Sequence, residues 1–378
     1  MRTRVIQGHV ANACAKTGLF LLFGIALSGC RQEPVVEPGG GSTDVLHAKY
    51  VDDPEGETVL GEERENPFTT RNMTRALSEL RASGVEVPSN VYVRTTHHYV
   101  RYRPQTWEQY VQLHMDQEHI FFDHPLDREV ETPGNHYHDP EISEDMPEYQ
   151  YAALGEDFVL ENGIPYDVLA DLYLPELDPA IEDREFAEAL ISQAFVRLGM
   201  PEDEEEDGDA AAKASWYTPA GQVLIYDDRL NANIGLEGVL VTARRWFTVF
   251  WGRADHSGNY QVNGAFKRPC NYSLHFEAPG FNVREHVLFA IAYVDGPKQT
   301  GNWNTTIGAG SYNNYAGTVF RGAYFYHYKN IDGLLRPFNP NGQPTSYIAK
   351  NAVSSGSIGF SPAVVPLIFI WRQYAGGG

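Results

Sequence analysis

The chain has 378 residues, room for two or three compact domains, and carries 29 Lys and Arg against 50 Asp and Glu. A formal charge of −21 repels a polyanion, which excludes a basic nucleic-acid binder, so no nucleic-acid partner is expected. With 42% apolar residues, 22 Tyr, 19 Phe and 6 Trp, core material is ample and global disorder is excluded.

Residues 1–29 read as a lipoprotein signal peptide. Arg2, Arg4 and Lys16 form a basic leader, and Leu19–Leu27 is an apolar run of about nine residues. That run is too short to cross a bilayer core of about 30 Å as a helix, but it fits a secretory h-region. It ends in Leu27-Ser28-Gly29-Cys30, which resembles the lipobox of bacterial lipoproteins. The resemblance implies lipidation at Cys30, with the membrane as partner through the lipid and the outer membrane or cell surface as location. Several acyl chains at about 0.8 kcal/mol per buried CH₂ make such an anchor stable. Cys14 is then removed with the leader, Cys30 is a thioether, and Cys270 is the remaining thiol. Residues 30–60 read as the lipidated cysteine and a Pro/Gly-rich tether.

Residues 61–200 read as an acidic α+β module. Met73, Leu77 and Leu80 stand at helical spacing within Asn66–Ser83, and Gly84 ends the helix. Asn90–Arg103 alternates as a strand, Trp107–Glu118 follows as a helix, and Ile120–Asp123 as a short strand. Asp167–Tyr173 and Phe186–Leu198 are predicted helices, giving the acidic half the look of a helical connector. Residues 129–209 hold 25 acidic residues against Arg184 and Arg197, whereas residues 214–378 hold 8 acidic and 13 basic ones. The step in charge predicts two different modules, joined by an acidic linker over 201–213. An EF-hand loop counted from Asp203 places Gly208 correctly but puts Ala214 where a bidentate Glu is needed, so the run is no calcium loop.

Residues 214–295 read as an antiparallel β-sandwich. Trp216–Tyr226 gives one strand and Gly238–Trp251 one or two more. In Asp255-His-Ser-Gly-Asn-Tyr260 the glycine supplies positive φ for a turn and Tyr260 opens the next strand. Short strands follow at Ala265–Lys267 and Tyr272–Phe276. Residues 296–378 form a Gly/Asn/Tyr-rich segment in which Arg321–Tyr328 is a helix or strand packed on the sandwich. The apolar Val364–Trp371 run close to Gly378 suggests an incomplete unit.

Val239–Arg245, Asp255–Tyr260 and Asn271–Leu274 resemble the carboxypeptidase regulatory-like (transthyretin-like) β-sandwich, over roughly residues 221–280. The resemblance implies a structural or adhesive role and no catalytic residues. A wider resemblance, to a family of large surface lipoproteins, rests on Thr95–Tyr99, Phe121–Asp127, Tyr137–Ile142, Tyr149–Tyr151, Gly296–Gln299 and Gly301–Asn304. In that family the sandwich is followed by a zincin-type metallopeptidase segment bearing H-E-L-x-H. No H-E-x-x-H occurs in this sequence, so neither zinc ligands nor a general base carry over.

Two candidate sites follow from the residues themselves. His136, His138 and Asp139 have the spacing for two imidazoles on one strand face, a possible zinc site with His97, His98 or His124 as a further ligand. The competing reading makes them turn and hydrogen-bonding residues beside Pro133-Gly134 and Asp139-Pro140. Trp246, Trp251, Tyr260 and Trp303 are flat rings among Asn, Gly and Arg, as a glycan- or peptide-binding face requires; core packing is the competing reading. Alternation over Arg245–Thr248 predicts that at least one of Trp246 and Phe247 faces away from the sandwich core. No G-x-S-x-G elbow and no phosphate-binding glycine loop occurs. Two functions remain: a membrane-anchored, non-catalytic scaffold or binding module, or the amino-terminal portion of a zinc metallopeptidase lacking its H-E-x-x-H helix.

Overall fold

The fold is α+β. The computed structural model describes residues 56–114, 119–143, 146–158, 163–200, 215–285, 290–334, 345–351 and 367–372. The lipobox, Cys30 and the acidic run 201–213 lie outside the described residues.

In the amino-terminal module β1 (Val59–Leu60) pairs with β3 (Val130–Thr132), and β4 (Gln150–Gly155), β2 (His97–Tyr102) and β5 (Tyr166–Leu172) form an antiparallel sheet in that order. Helices α1 (Thr70–Ala82) and α3 (Arg184–Arg197) pack together, and with one face of this sheet they form one core. Helix α1 starts where the Thr69 hydroxyl accepts the Asn72 N–H at 3.2 Å, and it buries Met73, Ala76, Leu77 and Leu80. Gly84, at φ +86°, follows its last turn as expected. Asp183 caps α3 through the Glu185 N–H at 2.9 Å, and that helix buries Leu190, Ile191, Ala194 and Phe195. Helix α2 (Trp107–Leu113) is capped by Thr106 in the same way.

The helix expected over Asp167–Tyr173 is instead strand β5. Seven residues with two aspartates suit either period. Register with β2 decides the outcome, because Asp167 comes opposite Arg101 at 2.9 Å and Asp171 opposite His98 at 2.8 Å. A short segment takes the state in which its backbone and charges find distant partners.

The carboxy-terminal module has two sheets that share one core. One is β10 (Asn259–Gln261), β6 (Ala220–Asp227) and β15 (Thr305–Ile307), with β7 (Ala232–Gly235) also on β6. The other is β14 (Tyr293–Gln299), β11 (Cys270–His275), β8 (Leu240–Arg245) and β9 (Thr248–Arg253), all antiparallel. Val223, Val241, Leu274 and Val294 fill the space between them. The core continues past residue 295, since β15 runs parallel to β6 and α4 (Tyr312–Tyr328) adds Ala316, Val319 and Phe320. A further sheet joins β12 (Glu277–Ala278), β13 (Phe281–Glu285), β16 (Thr345–Asn351) and β17 (Leu367–Arg372), with parallel pairing from β13 onward.

The turn before β10 follows from its residues. Asp255 accepts the N–H groups of Ser257 and Asn259 at 2.8 and 2.9 Å, and Gly258 sits at φ +84° with its N–H on the Asp255 carbonyl. A Cβ at Gly258 would meet the Val223 carbonyl oxygen at 2.2 Å, so only glycine fits.

The modules share a seam made first by the β8–β9 hairpin. Its tip, Trp246-Phe247, is buried in the amino-terminal core against Phe68 and Phe195. Both rings thus point away from the core of their own sheets and into that of the amino-terminal module. They form a two-residue turn in which Trp246 adopts φ +53°, so strand alternation does not apply to them. Around the tip, Glu188 of α3 holds Arg245 at 2.9 Å and Arg268 at 3.1 Å, and Arg244 donates to the Leu126 and Trp246 carbonyls.

Candidate functional site

The histidine pair picked out by spacing lies in a turn clamp. His136 Nδ1 is 3.0 Å from Asn135 Oδ1, and His138 Nδ1 is 2.5 Å from Glu148 Oε1. The other Glu148 oxygen accepts the Asp139 N–H at 3.1 Å, while Asp139 Oδ1 accepts the Glu141 N–H at 2.9 Å. These are the contacts of a satisfied turn. No group of three or more His, Cys, Asp or Glu suited to a metal ion occurs among the described residues, so His136, His138 and Asp139 gain no third ligand there. His98 pairs instead with Asp171, and the buried His124 packs edge-on against Tyr137 with ring centroids 6.1 Å apart.

Of the four candidate aromatics, three are buried in cores. Trp246 is the hairpin plug. Tyr260 donates its hydroxyl to the Trp303 carbonyl at 2.9 Å, and Trp303 packs on Tyr272 with ring centroids 5.5 Å apart. Their aromatic character serves packing, which corrects the ligand-face reading at these positions. Cys270 is a buried free thiol whose pKa burial pushes up to about 11, an unreactive state.

Trp251 differs. It stands half-buried on β9, facing a cleft of about 30 Å³ lined by His114, His119, Arg253, Glu277 and Pro279. Arg253 donates to the Gly238 and Glu277 carbonyls at 3.0 and 2.7 Å, which fixes its guanidinium at the wall. Burial opposes ionisation of Glu277, but the His114 ring 3.2 Å away and the Arg253 guanidinium hold its carboxyl below the usual range. The cleft therefore offers an indole, imidazole rings, a fixed cation and an ionised carboxylate within one depression.

His114 also forms the wall of a second, smaller cavity of about 20 Å³ deep in the seam, room for about one water molecule. Its lining includes Asp123 and His124 from the amino-terminal module and Ser273, His275 and Asp295 from β11 and β14. Ser273 Oγ lies 2.9 Å from His275 Nε2 and 2.6 Å from Thr242 Oγ1. Burial lowers the His124 pKa to about 3, with Arg244 adding to the effect, and lowers His275 to about 4; burial raises Asp295 to about 6. At neutral pH both imidazoles are uncharged in the fold.

Sequence spacing had no means of finding the His114–Glu277 pair, whose members are 163 residues apart. Ser273 and His275 left a signal, a polar i, i+2 pair within a predicted strand, which places both on one sheet face.

Comparison with known proteins adds no relative: no family model matches the chain, no curated protein matches it, and no solved structure matches it.

Proposed function

We propose that the chain is a lipid-anchored surface protein of the outer membrane that acts as a non-catalytic scaffold and binding module, with a glycan or a peptide as ligand. The anchor rests on the basic leader, the short apolar run and Cys30. The observation that carries the binding role is the Trp251 cleft, whose enclosed space of about 30 Å³ admits only a small group, so that a ligand lies across its mouth against the exposed part of the indole. An indole covers an apolar sugar face or an aliphatic side chain, while Arg253, His119 and Glu277 supply donors and an acceptor for hydroxyls or amides. The buried hairpin plug supports the scaffold role, since it holds the cleft walls, drawn from both modules, as one unit.

Two experiments test this reading. Growth of the expressing cell with a labelled fatty acid should label the protein, and Cys30→Ala should abolish the label; an unlabelled parent chain rejects the anchor. A glycan and peptide array probed with the detergent-solubilised protein should give hits that Trp251→Ala weakens at least about tenfold, the effect of losing about 1.4 kcal/mol of contact. An array without hits, or hits that Trp251→Ala leaves unchanged, rejects the binding role.

A further inference from the structure

The seam between the modules has two parts, and they differ in chemistry. The hairpin plug is aromatic, and its charged residues, Arg245, Arg268 and Glu188, are paired. The cavity part is closed by hydrogen bonds that cross from one module to the other. Asp295 Oδ2 accepts the Thr58 hydroxyl at 2.6 Å, its N–H reaches the Gly134 carbonyl at 2.8 Å, and the Ile291 N–H reaches the Tyr110 hydroxyl at 2.9 Å.

Two histidines line this cavity, His124 from the amino-terminal module and His275 from β11. The charged groups around them are unevenly matched. Arg244 of β8 is buried beside Phe122 and near His124, and Arg253 and His114 act on His275 from the other side. On the acidic side stand Asp295, held by Thr58, Glu277, held by His114, and Asp123. A proton added to either imidazole in the closed seam places a second buried cation near Arg244 or Arg253 in a space too small to hydrate it. Opening the seam hydrates both rings.

We propose that the cavity is an acid-sensitive latch: mild acid opens the His124–His275 part of the seam while the Trp246-Phe247 plug stays closed. This holds whether or not the Trp251 cleft binds a ligand. The sign follows from linkage. An imidazole that is neutral when buried and titrates near 6.5 in water favours the open state increasingly as pH falls below that value. Asp295, whose carboxyl holds its proton more tightly in the closed seam, works the other way and takes back part of the effect.

Hydrogen exchange followed by mass spectrometry on the full chain, at pH 7.5 and pH 5.0 with intrinsic rates normalised, tests the latch. Peptides covering 119–127 and 290–296 should lose protection by about tenfold or more at pH 5.0, the net of two histidines against one aspartate. Peptides covering 243–249 and 184–197 should keep theirs. Equal protection at both pH values overturns the proposal, and so does a loss spread uniformly over all peptides. The double variant His124→Gln, His275→Gln should flatten the pH dependence of the seam peptides; a folded double variant that keeps it overturns the latch. If that variant does not fold, the pH series on the unaltered chain alone decides.

Discussion

The hairpin plug and the histidine cavity do the same mechanical job, joining the two modules, by opposite means. At the plug, apolar area leaves water and each buried charge has a partner, as with Arg245 and Arg268 on Glu188. At the cavity, two imidazoles, His124 and His275, are buried in their uncharged forms, and Asp295 holds its proton more tightly than a carboxyl in water does. Acid does not loosen the first kind of contact in the same way: Glu176, which accepts the Thr248 hydroxyl at 2.8 Å beside the tip, has a carboxyl raised by burial, and that favours the folded state as pH falls. The second holds only in the pH range where neutrality is cheap, so one interface contains a permanent half and a conditional half.

The largest expected effect tests the permanent half. Phe247→Ala removes a fully buried ring from contact with Phe68 and Tyr99 and should lower unfolding free energy by about 4 kcal/mol in denaturant titration. A loss under about 1 kcal/mol would show that the tip contributes little. Glu188→Ala removes the carboxylate 2.9 Å from the buried Arg245, leaving Glu176 nearby, and should cost about 2 kcal/mol, more than an exposed pair could.

The conditional half is tested by pH. His124 and His275 have folded-state values near 3 and 4 against about 6.5 unfolded, so the unfolded chain binds more protons below pH 6.5. Stability should therefore fall as pH drops from about 6.5 toward 4. His97, lowered to about 4 by burial and by neighbouring His119 and His98, acts in the same direction. Asp295 opposes them between about 3.8 and 6, because there the folded state holds the extra proton. The net loss at pH 5 should be about 4 kcal/mol by denaturant titration. An equal loss in the His124→Gln, His275→Gln variant would assign the acid sensitivity to other groups. The smallest effect lies away from the seam: Tyr260→Phe removes the hydroxyl on the Trp303 carbonyl and should cost about 1 kcal/mol without altering acid sensitivity.

The charge step between residues 129–209 and 214–378 reads as a border between separate modules. In the fold it is also complementarity across the seam: Glu129 meets Lys298, Glu185 meets Lys267, and Glu188 meets two arginines. Opposite net charge in successive segments is as compatible with docking as with separation, and sequence cannot distinguish them because every one of these pairs is long-range. The aromatic candidates show the same limit. Composition marks Trp246, Trp251, Tyr260 and Trp303 alike; burial leaves only Trp251 at a cleft.

Local chemistry determined what lies within a few residues. The spacing of Met73, Leu77 and Leu80 with Gly84 behind them makes α1, and Asp255 with Gly258 makes the turn into β10, because caps, periodicity and positive φ act over one or two turns. The tertiary structure alone decided that Asp167–Leu172 pairs as a strand, that Trp246 enters the other module's core, and that His114, His124 and His275 surround one cavity. Each of those outcomes depends on partners from about 50 to nearly 180 residues away, whose contact energy exceeds local preference only once the chain has folded.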